Sequence, residues 1–94
     1  MFAIAFDLDL NVTAARHPTG LRHAYREIER TLTRYEFRRV QQSVYLTDDG
    51  DLADLTSAMS ALKALGWFND CVKDIRAFRV ENWSDFTDFM KSNR

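Results

Sequence analysis

The alternation of large and small apolar side chains over the first ten residues constrains the fold of this chain more than any other feature. In the segment MFAIAFDLDL, Phe2, Ile4 and Phe6 fall on one face of an extended strand, and two small alanines fall on the other. Apolar residues on both faces indicate a strand covered on both sides, so residues 1–10 are predicted to form a central strand. Asp7 interrupts this strand near its end, where a carboxylate requires solvent, a charged partner or a metal ion.

Two stretches of helical periodicity follow the first strand. Apolar residues recur at three- and four-residue steps over residues 21–35, which predicts a helix with Thr19 as its N-cap. A second apolar stripe covers residues 52–65. We expect Asp51 to cap this second helix and Gly66 to end it at the C′ position.

The remaining segments have strand character, apart from a helical tail. Residues 37–47 (FRRVQQSVYLT) predict two short strands or one strand kinked at Gln42–Ser43, and residues 71–80 (CVKDIRAFRV) predict a last strand. Residues 83–92 predict a short helix capped by Ser84. This order predicts an α+β fold, ferredoxin-like β-α-β-β-α-β with an antiparallel sheet and a short C-terminal helix.

Length and composition limit the class of protein. A chain of 94 residues with 46% apolar content predicts a single domain over residues 1–94. Because no signal peptide and no apolar run of about 20 residues is present, we expect a cytoplasmic protein that does not contact a membrane. The single cysteine, Cys71, excludes an internal disulfide, and no Cys or His pair has zinc-finger spacing.

The charge distribution limits how the chain can bind nucleic acid. The net charge of −1 argues against a protein that coats nucleic acid through bulk electrostatics. Residues 1–46 carry a net charge of +2 and residues 47–94 carry −3. A polyanion site is therefore expected to be local and to lie in the first half.

Three segments of the chain resemble the virulence-associated protein D (VapD) family: MFAIAFDL, FRRVQQSVYL and WFNDCVKDIRAFRVENWSDFT. The first two also resemble the small CRISPR-associated endoribonuclease subunit, where an aspartate likewise ends the first strand and an R-V-Q-x-S-V run forms the central hairpin. The resemblance to VapD is closer, because that family shares the tryptophan–phenylalanine pair before the last strand and the aromatic tail after it.

The resemblance implies a homodimeric endoribonuclease that cuts RNA and, in several relatives, is the toxin of a bacterial toxin–antitoxin pair. A small antitoxin protein is then a further partner. Asp7, Ser43 and Asp74 fall on family motif positions proposed to matter for cleavage. Many family members have glycine where this chain has Gln42, a departure that bears on the hairpin beside Ser43.

Asp7 has two functional interpretations and one structural one. It can bind a divalent cation such as Mg²⁺, or act as a general base toward a ribose 2′-hydroxyl. Alternatively it only caps a loop. A dimer axis near the first strand would bring two copies of Asp7 together, and their repulsion would be relieved either by a bound cation or by a raised pKa of one carboxyl group. Asp9, two residues later, either joins Asp7 or is an ordinary loop carboxylate.

Other polar residues also have paired interpretations. The hydroxyl of Ser43 can hold a phosphate oxygen or can hydrogen-bond its own backbone. Asp74 either takes part in cleavage or forms an ion pair with Arg76 on the same face of the strand. His17 and His23 can serve as acid–base groups in metal-free cleavage, although surface histidines are the commoner case.

A series of arginines follows the first helix and continues into the next strand. Its members are Arg22, Arg26, Arg30, Arg34, Arg38 and Arg39. Like charges at four-residue spacing repel by roughly 0.2–0.5 kcal/mol per pair, so partners are expected. Either Glu27 pairs with Arg30 and Glu29 with Arg26 on a solvated face, or the arginines contact RNA phosphates.

The segments on either side of the last strand contain more aromatic side chains than one small surface can expose. The aromatic residues on either side of the last strand are Trp67, Phe68, Trp83, Phe86 and Phe89. We expect them to cover the open sheet face or a subunit interface, which favours a dimer. Besides the endoribonuclease, a second function fits this pattern: a non-catalytic interaction module whose sheet edge and tail bind an antitoxin or scaffold.

Overall fold

The computed structural model describes residues 1–92, so the last two residues of the predicted domain, Asn93 and Arg94, lie outside the described residues. The described part contains four strands and five helices. They are β1 (Phe2–Leu8), α1 (Leu10–Arg16), α2 (Leu21–Thr33), β2 (Arg38–Gln41), β3 (Val44–Thr47), α3 (Leu52–Lys63), α4 (Trp67–Cys71), β4 (Val72–Arg79) and α5 (Thr87–Lys91). Every helix between residues 1 and 92 is too short or too polar to cross a membrane.

The strands form one antiparallel sheet in the order β2-β3-β1-β4. Strand β1 lies between β3 and β4, with Ile4 opposite Tyr45 on one side and Ala77 on the other. The predicted α+β, ferredoxin-like arrangement and the central position of the first strand are therefore confirmed. The short helices α1 and α4 are additions that the sequence pattern did not predict.

The hydrophobic core lies between one face of the sheet and the two long helices. Its members on β1 are the large side chains of the alternating pattern, including Phe2, Ile4 and Phe6. They pack with residues from the helices and from α4, including Ile28, Leu32, Leu55, Leu62 and Phe68. Burying each such side chain stabilises the fold by about 1.5–3 kcal/mol, so the alternation sets which face of β1 meets the helices.

The tail lies over the opposite face of the sheet. Ala3 and Leu46 point to that face and are fully buried. The chain leaves β4 at one edge of the sheet, yet Trp83 and Met90 line a cavity of about 530 Å³ together with Val40 at the other edge. The residues after β4 therefore cross this face. The aromatic prediction was wrong for Trp67 and Phe68, which pack in or against the core on the helix side, and Phe86 and Phe89 are exposed.

The ends of α2 and α3 test the predicted caps. Asp51 caps α3 as predicted, accepting a hydrogen bond from the amide of Ala53 at 2.9 Å. Thr19 is not the N-cap of α2, because the helix begins one residue later, after Gly20. The amide of Thr19 instead donates to the ring Nδ1 of His17 at 3.2 Å.

Two further predicted helix ends were wrong. Gly66 lies two residues beyond the C-cap of α3 and directly precedes α4. Its φ of 79° and the hydrogen bond from the Trp67 amide to the Leu65 carbonyl form a tight γ-turn that suits glycine. Ser84 does not cap the tail helix, which begins at Thr87, whose amide donates to the Asp85 carboxylate.

Candidate active site

Asp7 lies where the sheet narrows to two strands. Strand β1 pairs with β3 only as far as Ala5, but it continues to pair with β4 as far as Leu8. The Asp7 side chain is 67% exposed, and its carboxylate lies 3.9 Å from the Lys73 ammonium. Solvent and this ammonium together remove the energetic cost of placing a carboxylate on a central strand.

A bulge in β4 brings Lys73 to Asp7. Asp7 is opposite Asp74, whereas Leu8 is opposite Val72, so Lys73 is the extra residue between them. A bulge of this kind redirects side chains and is frequent beside active sites. Simple alternation places Lys73 on the other face of the strand from Asp74, which is why the sequence did not point to it.

Ser43 lies next to the end of β1. The amide of Phe6 donates to the carbonyl oxygen of Ser43 at 3.0 Å, which ties the β2–β3 turn to the residue before Asp7. Asp7 and Ser43 line one cavity of about 510 Å³. Lys73, Tyr25 and other side chains complete its wall. The structure therefore brings together two of the three residues that the sequence proposes for cleavage.

Asp74 is held differently. It is the register partner of Asp7 across the strands, but it is not among the residues that line the cavity. Its carboxylate accepts hydrogen bonds from Nε of Arg76 at 3.1 and 3.3 Å. The ion-pair interpretation of Asp74 is thus confirmed.

Asp9 caps the helix that follows β1. Its side chain accepts a hydrogen bond from the amide of Val12 at 3.0 Å, and its amide donates to the carbonyl of Cys71 at 2.8 Å. Cys71 is itself buried, as expected for a small apolar side chain. Asp9 also lines the cavity of Asp7, but its cap provides a structural reason for the carboxylate.

A second cavity adjoins the first and gathers part of the arginine series. Its volume is about 650 Å³, and Arg22, Arg26 and Arg39 line it. Tyr25 and Gln42 belong to the walls of both cavities, so the two cavities are adjacent and together make up the groove beside Asp7.

The other three arginines lie outside the groove. Arg30 and Arg34 do not line it, and Arg38 forms an ion pair with Asp48 at 3.2 Å. Asp48 follows the end of β3 that pairs with the start of β1, at the opposite end of the sheet from Asp7. The structure therefore places three of the six predicted arginines in the cavity next to that of Asp7.

The predicted pairing of the helix arginines was wrong. Glu27 accepts a hydrogen bond from the indole of Trp67 and lies 3.8 Å from the His17 ring. Glu29 lies 4.0 Å from Arg39. Within residues 1–92, no carboxylate lies within 4.0 Å of the helix arginines Arg22, Arg26, Arg30 and Arg34.

The two histidines have different environments. The interpretation of His17 as a surface residue was wrong: it is 7% exposed and packs edge-on against the Trp67 ring, with centroids 4.9 Å apart. His23 is exposed, and its Nδ1 lies 3.1 Å from the carbonyl oxygen of Thr19. Neither histidine lines the groove.

The described residues contain no ready-made cluster of metal ligands. Residues 1–92 contain no group of three or more His, Cys, Asp or Glu side chains arranged to hold a metal ion. Asp7 is the residue at which the sequence proposes a cation. A cation there would be held by the Asp7 carboxylate together with water or phosphate oxygens.

Comparison with known proteins agrees with this geometry. A sequence model of the CRISPR associated protein Cas2 family matches residues 1–88. The protein named endoribonuclease VapD homolog from Neisseria gonorrhoeae is 51% identical over 92 residues, covering 98% of this chain and all of that relative. The chain belongs to the VapD family. The endoribonuclease VapD of Haemophilus influenzae is 48% identical over 98% of this chain and all of its own length.

More distant VapD proteins also align over the whole chain. An endoribonuclease VapD of Helicobacter pylori is 36% identical over 94 residues, covering 98% of this chain and all of that relative. The predicted resemblance to VapD and to the CRISPR-associated subunit is therefore confirmed. In this VapD chain, sequence reasoning missed two residues of the groove, Tyr25 and Lys73.

Proposed function

We propose that this chain is an endoribonuclease whose cleavage of RNA depends on Asp7. One observation carries the proposal: the solvated carboxylate of Asp7 shares a cavity with Ser43, and the adjacent cavity is lined by Arg22 and Arg26, neither of which has a carboxylate within 4.0 Å among the described residues. Within residues 1–92, the one carboxylate that also lines this second cavity, that of Glu29, lies 4.0 Å from Arg39. A carboxylate beside an unpaired cationic track suits a phosphodiester substrate. The relatives named endoribonuclease VapD support the same activity.

The residues of the cavity support a metal-free cleavage. Asp7 removes the proton from a ribose 2′-hydroxyl, the 2′-oxygen attacks the adjacent phosphorus, and the bond to the 5′-oxygen breaks. The products are a 2′,3′-cyclic phosphate and a 5′-hydroxyl, whose proton comes from water. Ser43 donates a hydrogen bond to a phosphate oxygen, and the ammonium of Lys73 offsets the charge that develops there. Asp74, which lies opposite Asp7 across the strands, contributes indirectly: its carboxylate fixes the side chain of Arg76 through a hydrogen bond from Nε.

A divalent cation such as Mg²⁺ is the second way in which Asp7 can act. Because residues 1–92 hold no group of three or more His, Cys, Asp or Glu side chains arranged for a metal ion, Asp7 would hold the cation together with Asp7 of a second copy or with phosphate oxygens of the RNA. A bound cation would supply Lewis-acid stabilisation of the phosphate. The cleavage experiment therefore includes a chelator.

The proposal extends to a homodimer. Five large apolar side chains of the last strand and tail are exposed: Phe78, Trp83, Phe86, Phe89 and Met90. A concentration of exposed apolar side chains is typical of a contact surface with another protein. We assign it to a second copy of the chain.

The proposal also includes the biological role. We propose that the chain is the toxin of a toxin–antitoxin pair in the cytoplasm, inhibited by a small antitoxin protein. Induced expression in a bacterial culture should then arrest growth, whereas expression of Asp7→Asn at the same level should not. Equal arrest by both would separate toxicity from cleavage, and no arrest by either would contradict the toxin role.

The central experiment is cleavage of a labelled single-stranded RNA. Asp7→Asn removes the basic carboxylate while keeping the size of the side chain, so we expect cleavage to slow by at least about 100-fold. Asp48→Asn, an exposed carboxylate at the opposite end of the sheet, is the matched control and should cut normally. Circular dichroism and gel filtration establish that all three proteins are equally folded and assembled. Parallel reactions with Mg²⁺ and with chelator report on the cation.

Normal cleavage by a folded Asp7→Asn protein would refute the mechanism. The exposed tail favours a second function, a non-catalytic module that binds an antitoxin or scaffold. Absence of cleavage by the wild-type protein, together with salt-insensitive binding of a protein partner and no affinity for RNA, would favour that module.

A further inference from the structure

Tyr25 and Gln42 occupy the junction of the groove. Each lines both the cavity that holds Asp7 and Ser43 and the cavity that holds Arg22 and Arg26. A single strand of RNA with one phosphate at Asp7 and others at the arginines has to pass this junction. The nucleotide next to the cleaved phosphate therefore meets these two side chains.

The two side chains differ in mobility and chemistry. Tyr25 is half-buried and packs against the hydrophobic core, so its ring is held in place before RNA binds. Gln42 is exposed in the turn between β2 and β3, next to Ser43. A fixed aromatic ring can stack on any base, and an amide, with both a donor and an acceptor, can read a base edge.

We propose that Tyr25 and Gln42 form a nucleobase subsite for the nucleotide adjacent to the cleaved phosphate, with Tyr25 as the stacking surface and Gln42 as the reader of base identity. This inference rests on the proposed nuclease function and specifies how the same site selects its substrate. It predicts that the ring contributes to affinity for every sequence, whereas the amide sets a preference at one position.

Stacking on Tyr25 is tested by removing the base from the RNA. The cleaved bond is first located by sequencing the products, and affinity is then measured with a fluorescent oligonucleotide that carries a 2′-deoxy sugar at that bond to prevent cleavage. An abasic nucleotide at the adjacent position should weaken wild-type binding about 10-fold. Tyr25→Leu keeps the apolar packing but loses the ring, so it should bind the intact RNA about 10-fold more weakly and lose nothing further with the abasic RNA.

The matched control is Tyr35→Leu. Tyr35 is also a half-buried tyrosine packed against the core, two residues beyond α2, but it lines neither cavity. This variant should keep the full abasic penalty. An undiminished abasic penalty in Tyr25→Leu would overturn the stacking role.

Base reading by Gln42 is tested with a random RNA pool. Sequencing of the cleaved ends should show a base preference at the position next to the cut, and Gln42→Ala should flatten it. Gln41→Ala, at the neighbouring exposed residue outside the groove, should leave the preference intact. An unchanged preference in Gln42→Ala would overturn the role of the amide.

Failure of this subsite is distinguishable from failure of the nuclease function. If the wild-type protein cuts RNA and Asp7→Asn does not, but Tyr25→Leu keeps the abasic penalty, the nuclease stands and the stacking role falls. If the wild-type protein binds RNA without cutting it, an oligonucleotide series with one abasic position each still tests Tyr25. Absence of RNA binding by the wild-type protein would overturn both proposals.

Discussion

Asp7 and Asp9 are two residues apart, yet their side chains lie in different environments. Asp7 is on the strand with its carboxylate in solvent, whereas Asp9 caps α1 through the amide of Val12. A cap needs only a side-chain oxygen, which asparagine also has, whereas a general base needs a carboxylate. Substitution by asparagine therefore distinguishes a residue that caps a helix from one that acts as a general base.

Substitution of Asp9 forms the first prediction. Asp9→Ala should lower the free energy of unfolding by about 1 kcal/mol, because the Val12 amide loses its acceptor, and Asp9→Asn should change it much less. Urea denaturation measures both. Asp9→Asn should also cut RNA normally. Loss of cleavage in a stable Asp9→Asn protein would instead show that Asp9 acts chemically with Asp7.

Tyr45 is the residue with the clearest dependence on pH. Burial, and secondarily the negative charge of Glu29, raise the pKa of Tyr45 from 10.0 to about 12, although Arg39 opposes this rise. The hydroxyl is buried and has no hydrogen-bond partner within the part of the chain that the structure describes. The folded protein therefore keeps the Tyr45 proton in a range where the unfolded chain releases it.

The second prediction follows from this difference in pKa. The contribution of Tyr45 to stability is fully present below pH 10 and should decline by about 2–3 kcal/mol as the pH rises to 12. Tyr45→Phe cannot titrate, so its free energy of unfolding should fall less between pH 9 and pH 12 when both proteins are unfolded with urea. Tyr35→Phe serves as a control and should behave like the wild type. Equal declines for wild type and Tyr45→Phe would contradict the assignment.

At the scale of elements, helix α2 and its C-cap residue carry four arginines at four-residue steps, but only two of them face the groove. Each four-residue step rotates a side chain about 40° around the helix axis, because the helix has 3.6 residues per turn. From Arg22 to Arg34 the rotation reaches about 120°. Arg30 and Arg34 are thereby turned away from the cavity that Arg22 and Arg26 line.

The third prediction concerns the salt dependence of RNA binding. Arg22→Ala and Arg26→Ala should each reduce the slope of log affinity against log salt concentration by about 0.7, the value for one phosphate contact on a single strand. Arg30→Ala and Arg34→Ala are matched controls on the same helix and should leave the slope nearly unchanged. Fluorescence anisotropy titrations over a range of salt concentrations provide the measurement. Equal effects of all four variants would indicate a diffuse electrostatic attraction rather than a groove.

At the scale of the whole molecule, the tail covers the second face of the sheet while exposing its own aromatic side chains. Phe86 and Phe89 are 61% and 68% exposed, even though Leu46 beneath the tail is fully buried. The tail residues therefore fall into two groups. One group completes the fold of the single chain, and the other leaves an apolar surface exposed, which we propose contacts a second copy.

The fourth prediction tests this surface. Phe86→Ser combined with Phe89→Ser should weaken self-association at least tenfold in sedimentation or light-scattering measurements, because it removes apolar contact area. Urea unfolding of the monomeric variant should remain two-state, since neither ring is buried within one chain. Leu52→Ser, at a similarly exposed leucine of α3, is the control and should leave association unchanged. An equally strong dimer in the double variant would place the interface elsewhere.

The sequence by itself determined the strands and the long helices, the family, and the face of β1 that enters the core. These features depend on short-range patterns: alternation for Phe2, Ile4 and Phe6, helical periodicity in α2 and α3, and an aspartate positioned to cap α3. Such patterns act within a few residues, so they can be read without knowing where distant segments lie. The short helices α1 and α4 were not predicted, because segments of five to seven residues show too little periodicity.

Only the tertiary structure decided the composition of the site. Lys73 reaches Asp7 because the β1–β4 register shifts by one residue, and Glu27 pairs with Trp67, 40 residues away, rather than with a neighbour on its own helix. Tyr25 and Gln42 line the same two cavities only because α2 and the β2–β3 turn pack at the same end of the sheet. Strand register and helix packing are set by the core as a whole, so no local pattern contains them.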